Sequence, residues 1–103
     1  MNRFSYELQS DGESARLALT GELDMAATLT LEPVVDQLLD EGARRITIDL
    51  SGLSFIDSTG ISLLITINDR VREAGAELRL PRPREEVGRA LEVTGVDTVL
   101  PLV

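Results

Sequence analysis

The stretch from Arg45 to Gly75 constrains the fold of this chain more than any other. Arg45-Ile46-Thr47-Ile48-Asp49-Leu50 alternates polar and apolar residues, the mark of a half-buried strand. Ser51-Gly52-Leu53-Ser54-Phe55-Ile56 reads as a connector. Asp57-Ser58-Thr59-Gly60 then opens the clearest helical pattern in the sequence, Ile61 through Ala74, closed by Gly75. A further strand, Glu77-Leu78-Arg79-Leu80, follows directly. Strand, helix and strand in this order build a parallel sheet with the helix as crossover.

The flanking segments extend this unit. Phe4-Ser5-Tyr6-Glu7-Leu8-Gln9 alternates as a strand should, and Ser10-Asp11-Gly12-Glu13 is a turn signal. Ala15-Arg16-Leu17-Ala18-Leu19-Thr20 completes a hairpin, stopped by Gly21. A helix reaches about Glu41, with Leu31, Val34, Val35, Leu38 and Leu39 on its apolar face and Gly42 as its left-handed cap. Pro33 lacks an N–H and its ring clashes with a preceding carbonyl, so either Thr30 is the N-cap and Pro33 lies in the first turn, or the helix begins earlier and bends; a start near Leu29 is expected. Pro83 fits the N1 position of a third helix, Arg84–Thr94, stopped at Gly95, and Thr98-Val99-Leu100 reads as a last short strand. The expected architecture is α/β: a mixed four- to five-stranded sheet with three or four helices packed on it, in one domain spanning residues 1–103.

Composition removes several kinds of function. The 103 residues include neither cysteine nor histidine, which excludes disulfides, thiol catalysis, serine–histidine nucleophiles and the usual zinc sites. No metal or other cofactor is expected. Net charge is −8 and every cation is an arginine. Such a surface repels nucleic acid and anionic membranes and suits a basic protein partner. No apolar run is of transmembrane length, and Met1-Asn2-Arg3-Phe4-Ser5 lacks the apolar core of a signal peptide, so the cytoplasm is expected.

Asp57-Ser58-Thr59-Gly60 supports two readings. Asp, Ser and Thr all cap helices well, and capping alone accounts for many such tetrapeptides. A helix N-terminus also carries unpaired N–H groups and partial positive charge, so a serine hydroxyl there is well placed to bind or accept phosphate. No base or metal ligand accompanies Ser58, which makes the hydroxyl a substrate rather than a catalyst. Gly60 is costly in a first helical turn, by about 0.5–1 kcal/mol relative to alanine, unless a partner's backbone must come close. Gly21-Glu22-Leu23-Asp24 ends the second strand, and its loop is expected beside the Asp57 loop, so that Asp24 and Asp57 flank Ser58. Paired carboxylates suggest hydrolase chemistry, but nothing here supplies a substrate cleft, and the chain reads as a non-enzyme. At about 100° per residue, Leu63, Leu64, Ile67, Val71 and Ala74 share one sector of the second helix, whereas Ile61 and Ile65 fall outside it. Those two isoleucines are either a wider core or an apolar contact patch next to Ser58.

Taken together, these segments resemble the anti-sigma factor antagonists of bacteria, the small stand-alone STAS domains. The resemblance rests on Leu19-Thr20-Gly21-Glu22-Leu23-Asp24, on Ile48-Asp49-Leu50 leading through Phe55-Ile56 to Asp57-Ser58-Thr59-Gly60-Ile61, on Ala74-Gly75-Ala76-Glu77-Leu78, and on Val93-Thr94-Gly95-Val96. It departs at Ser62, where the family commonly has glycine. The resemblance implies a STAS-like sheet with helices on it, Ser58 as the phosphorylated residue, Asp57 its neighbour at the helix start, Asp24 a nearby contact and an apolar residue at Ile61; with Thr59, Gly60 and, from the helical angles, Ile65, these form the expected partner-binding surface. It implies an anti-sigma factor with serine protein kinase activity as partner, bound by the unphosphorylated form and released on phosphorylation. A phosphatase would reset the switch. The rival from another class is a STAS accessory subunit of an ABC-type lipid transporter, or a component of a stress-sensing scaffold. Such transporter subunits usually lack the serine acceptor.

Overall fold

A computed structural model describes residues 3–103. Strand β1, Ser5–Asp11, pairs antiparallel with β2, Ser14–Leu23, Ser5 lying opposite Thr20 and Asp11 opposite Ser14. Gly12 and Glu13 alone make the turn. Gly12 has φ +61° and Glu13 a negative φ, the pattern of a II′ hairpin, whose first position favours glycine. Then follow α1 (Met25–Asp40), β3 (Arg45–Ile56), α2 (Ser58–Glu73), β4 (Glu77–Arg79) and α3 (Glu85–Val93), with a 3₁₀ turn at Val96–Thr98.

The strands lie side by side in the order β1-β2-β3-β4, with β2/β3 and β3/β4 parallel and joined through α1 and α2. The expected mixed sheet is therefore present, with four strands and three helices. Register puts Ala15, Leu17 and Leu19 of β2 on the same face as Ile46, Ile48 and Leu50 of β3, and all six are buried. Helix α1 lays Ala27, Leu31, Val35 and Leu38 into this core, and α2 adds Leu63, Leu64, Ile67 and Val71. Each buried leucine, isoleucine or valine among them contributes about 1.5–3 kcal/mol of burial free energy. The other face of β2 stays polar, where Arg16 meets Asp49 of β3 at 2.8 Å. Arg70 of α2 reaches Glu32 at 3.0 Å and Asp36 at 2.6 Å, tying α2 to α1.

Several boundaries differ from the sequence expectation. Gly21 does not stop β2, which continues to Leu23. The connector 51–56 is instead the second half of β3, pairing with β2 across register shifts. Helix α1 begins at Met25, not near Leu29, and Asp24 rather than Thr30 is its N-cap. Pro33 sits inside the helix. Its missing N–H frees the carbonyl of Leu29, but both residues are exposed, so water can satisfy that oxygen. Pro83 precedes the N-cap residue Arg84 rather than occupying N1. The last expected strand, Thr98–Leu100, does not form. That stretch belongs to the 3₁₀ turn and its exit, and only Leu102 makes a lone parallel bridge, with Leu80.

Candidate functional site

Leu23 and Ile56, the last residues of β2 and β3, are register partners in the parallel pair. The residues that follow them, Asp24 and Asp57, thus leave the sheet at the same edge, and the N–H of Asp57 donates to the carbonyl of Leu23 at 3.4 Å. The two junctions are built alike. Asp24 has φ −105°, ψ −170° and its Oδ1 accepts from the N–H of Ala27 at 3.0 Å. Asp57 has φ −107°, ψ −174° and its Oδ1 accepts from the N–H of Gly60 at 3.0 Å. Each carboxylate satisfies an otherwise unpaired helix donor and meets the positive end of a helix dipole.

Ser58 is the first residue of α2 and is exposed, and its hydroxyl makes no hydrogen bond among the described residues. Thr59 differs. It is half-buried and its hydroxyl donates to Asp57 Oδ1 at 2.5 Å. That hydroxyl is the main reason the Asp57 carboxyl lies below the ordinary carboxylate range, helped by the Gly60 N–H and opposed by partial burial. The capping reading and the reactive-hydroxyl reading are therefore compatible, because they fall on different residues. Among the described residues, neither Asp24 nor Asp57 is paired with an arginine.

Gly60 is buried, and a Cβ on it would stand 2.4 Å from the carbonyl oxygen of Leu23 and 2.8 Å from Ile56 Cγ1. The backbone that comes close here is this chain's own β2. Ile61 and Ile65 are half-buried and pack on the margin of the core rather than standing clear of it. Sequence reasoning missed two large apolar residues beside the junctions. Met25, 62% exposed, follows the Asp24 cap, and Phe55, 46% exposed, lies two residues before Asp57. Met25 was hidden by the late helix start, and Phe55 by the treatment of its strand as a connector. An open cleft of about 620 Å³ also adjoins Asp24, lined in part by Phe4, Tyr6, Glu22 and Thr30. Among the described residues no cluster of acidic side chains is arranged to hold a metal ion.

The fold and the capped, serine-bearing junction define a class, and comparison with known proteins agrees. Residues 6–103 match the family model described as "Mlab, STAS domain". The chain is 30% identical over 80 residues to the anti-sigma-B factor antagonist of Staphylococcus aureus (strain NCTC 8325 / PS 47), covering 78% of this chain and 74% of that protein. This chain belongs to the STAS-domain family, within its anti-sigma factor antagonists. Among solved structures it is similar in fold to the anti-sigma factor antagonist SpoIIAA in its unphosphorylated form, with TM-score 0.82 and 22% identity, over 96% of this chain and 86% of that one. The phosphorylated form of the Bacillus cell fate determinant SpoIIAA gives TM-score 0.76 and 21% identity over 96% and 89%.

Proposed function

We propose that this chain is a phosphorylation-controlled anti-sigma factor antagonist. Its unphosphorylated form binds an anti-sigma factor that is also a serine kinase, in the cytoplasm, and so releases a sigma factor. Phosphorylation of Ser58 ends the complex and a phosphatase restores it. One observation carries this reading: the exposed hydroxyl of Ser58, without a hydrogen bond among the described residues, stands at the head of α2, while the adjacent Thr59 hydroxyl is held by Asp57. The structural neighbour SpoIIAA, known in unphosphorylated and phosphorylated forms, supports it by analogy. A phosphoserine adds about −1.5 to −2 charge, which the positive helix end tolerates. An interface does not, because that charge joins Asp24 and Asp57, neither offset by an arginine, on a chain already at −8. The test is affinity capture with three baits in lysate of the native bacterium. Wild type and Ser58→Ala retain a kinase-like anti-sigma factor, Ser58→Asp loses it, and unfolding midpoints agree within about 0.5 kcal/mol. Fragment-ion mass spectrometry of the kinase-treated chain finds phosphate on Ser58; phosphate mainly on Thr59 sinks the assignment.

A second reading has its own support. The matching family model is the general STAS one, described as "Mlab, STAS domain", and leaves room for a STAS accessory subunit of an ABC-type lipid transporter. Capture of a transporter ATPase by wild type and Ser58→Asp alike would establish it over the switch.

A further inference from the structure

Of the sheet's two edges, one is guarded and the other open. β4 presents three residues, with Glu77 and Arg79 at its ends and Pro81 shortly after. β1 presents seven, Ser5 to Asp11, with no proline, no lysine and an unbroken register against β2. Brevity, proline and bulges all blunt an edge strand and β1 has none of these, its charged residues being Glu7 and Asp11. The hairpin fixes which backbone groups are free. A two-residue loop closes on a hydrogen-bonded pair, here Asp11 with Ser14, and such pairs alternate along the ladder. Asp11, Gln9, Glu7 and Ser5 therefore bond to β2, and the N–H and C=O groups of Tyr6, Leu8 and Ser10 point outward.

We infer that β1 pairs antiparallel with β1 of a second copy about a two-fold axis at Leu8, joining two sheets into one of eight strands. Leu8 is the midpoint of Ser5–Asp11, so this axis overlaps the whole strand. An axis at Glu7 would set two Glu7 carboxylates opposite each other, and one at Gln9 would set Glu7 opposite Asp11. With the axis at Leu8, Tyr6 lies opposite Ser10, Glu7 opposite Gln9 and Ser5 opposite Asp11, so no two like charges face each other. Leu8 is 43% exposed at the centre of the edge, and the pairing covers it with the partner's identical side chain. The axis lies level with Leu17, the register partner of Leu8, well before Leu23, and both Ser58 sites stay open. The inference does not depend on the proposed function.

Sedimentation of the full chain from micromolar to millimolar concentration tests it. Wild type forms a dimer on this range. Leu8→Arg sets two cations opposite each other and loses the dimer, with an unchanged circular dichroism spectrum. Leu8→Cys gives a folded check independent of that variant, because the chain has no other thiol. The Cα atoms of a hydrogen-bonded antiparallel pair lie about 5.5 Å apart, within disulfide range. Mild oxidation therefore links Leu8→Cys many-fold faster than Val93→Cys, whose site is 80% exposed on α3. A wild type that stays monomeric throughout, a Leu8→Arg that folds and still dimerises, or equal cross-linking at the two thiols overturns the inference.

Discussion

Replacing Gly60 by alanine sets two physical effects against each other. Helix propensity alone favours alanine in α2 by about 0.5–1 kcal/mol. The added Cβ, however, stands 2.4 Å from the Leu23 carbonyl oxygen, about 1 Å short of an ordinary carbon–oxygen contact. It also meets Ile56 Cγ1 at 2.8 Å and Leu23 Cγ at 3.0 Å. The carbonyl belongs to the β2 backbone and accepts the Asp57 N–H, so it cannot swing aside as a flexible side chain would. Overpacking costs about 1–3 kcal/mol, and the upper end applies when backbone is the obstacle. The net expectation is a loss of about 2 kcal/mol. At about 4–8 °C per kcal/mol for a domain of this size, Tm falls by roughly 10 °C. Gly88 is the internal control. It also lies in a helix, but a Cβ there meets only Pro83 Cγ, at 3.8 Å. Gly88→Ala should therefore raise stability by about 0.5–1 kcal/mol. Urea unfolding followed by circular dichroism reads both. If Gly60→Ala proves as stable as wild type, the close approach of α2 to β2 does not constrain this position and the reasoning fails.

The same junction yields further expectations. Asp57→Asn keeps a good N-cap but gives up the charged acceptor for the Thr59 hydroxyl. Because the folded carboxyl titrates below its ordinary value, its stabilisation is present above the unfolded pKa of about 3.9 and is lost as pH falls through the lower folded value. The stability gap between wild type and Asp57→Asn should be full at neutral pH and close in acid below about pH 4; a constant gap down to pH 2 in urea titrations refutes the assignment. Leu64→Ala, fully buried, should cost about 2–5 kcal/mol, whereas half-buried Ile61→Ala should cost about 1 kcal/mol while weakening capture of the partner. An Ile61→Ala that matches Leu64→Ala in denaturant midpoint places Ile61 in the core alone.

What the sequence disclosed follows from which forces act locally. Strand alternation at 45–50 and the helical spacing of Leu63, Leu64, Ile67 and Val71 reflect burial on one face, and those elements were legible. The start of α1 was not. A proline rule applied to an isolated helix excludes Pro33 from an interior, but packing of Ala27, Leu31 and Val35 together with the Asp24 cap outweighs one missing bond on the solvent side. Residues 51–56 read as a connector because the tie that keeps them in β3 is pairing with β2, thirty-two residues away at Thr20 and Gly52. At the site the sequence pointed to Ser58 rather than its neighbour Thr59, and the structure adds that Ser58 is exposed whereas the half-buried Thr59 hydroxyl is held by Asp57. Gly60 suggested the approach of a partner's backbone, but the atom it approaches is a carbonyl of this chain's own β2, which only the tertiary pairing brings there.

The parallel pairing of Leu23 with Ile56 also has a consequence in time. A hairpin can close as its two strands emerge, but β2 and β3 meet only after the whole of α1 has been made and the chain has crossed back over the face of the sheet. Contacts of such sequence separation form slowly, since loop-closure entropy precedes any gain from pairing. The setting of Ser58, with Gly60 seated on Leu23 and Asp57 bonded to it, exists only once that pairing is complete. A nascent or partly unfolded chain displays the same four residues without this arrangement. An enzyme that reads the arrangement rather than the tetrapeptide would modify mature molecules and ignore unfinished ones.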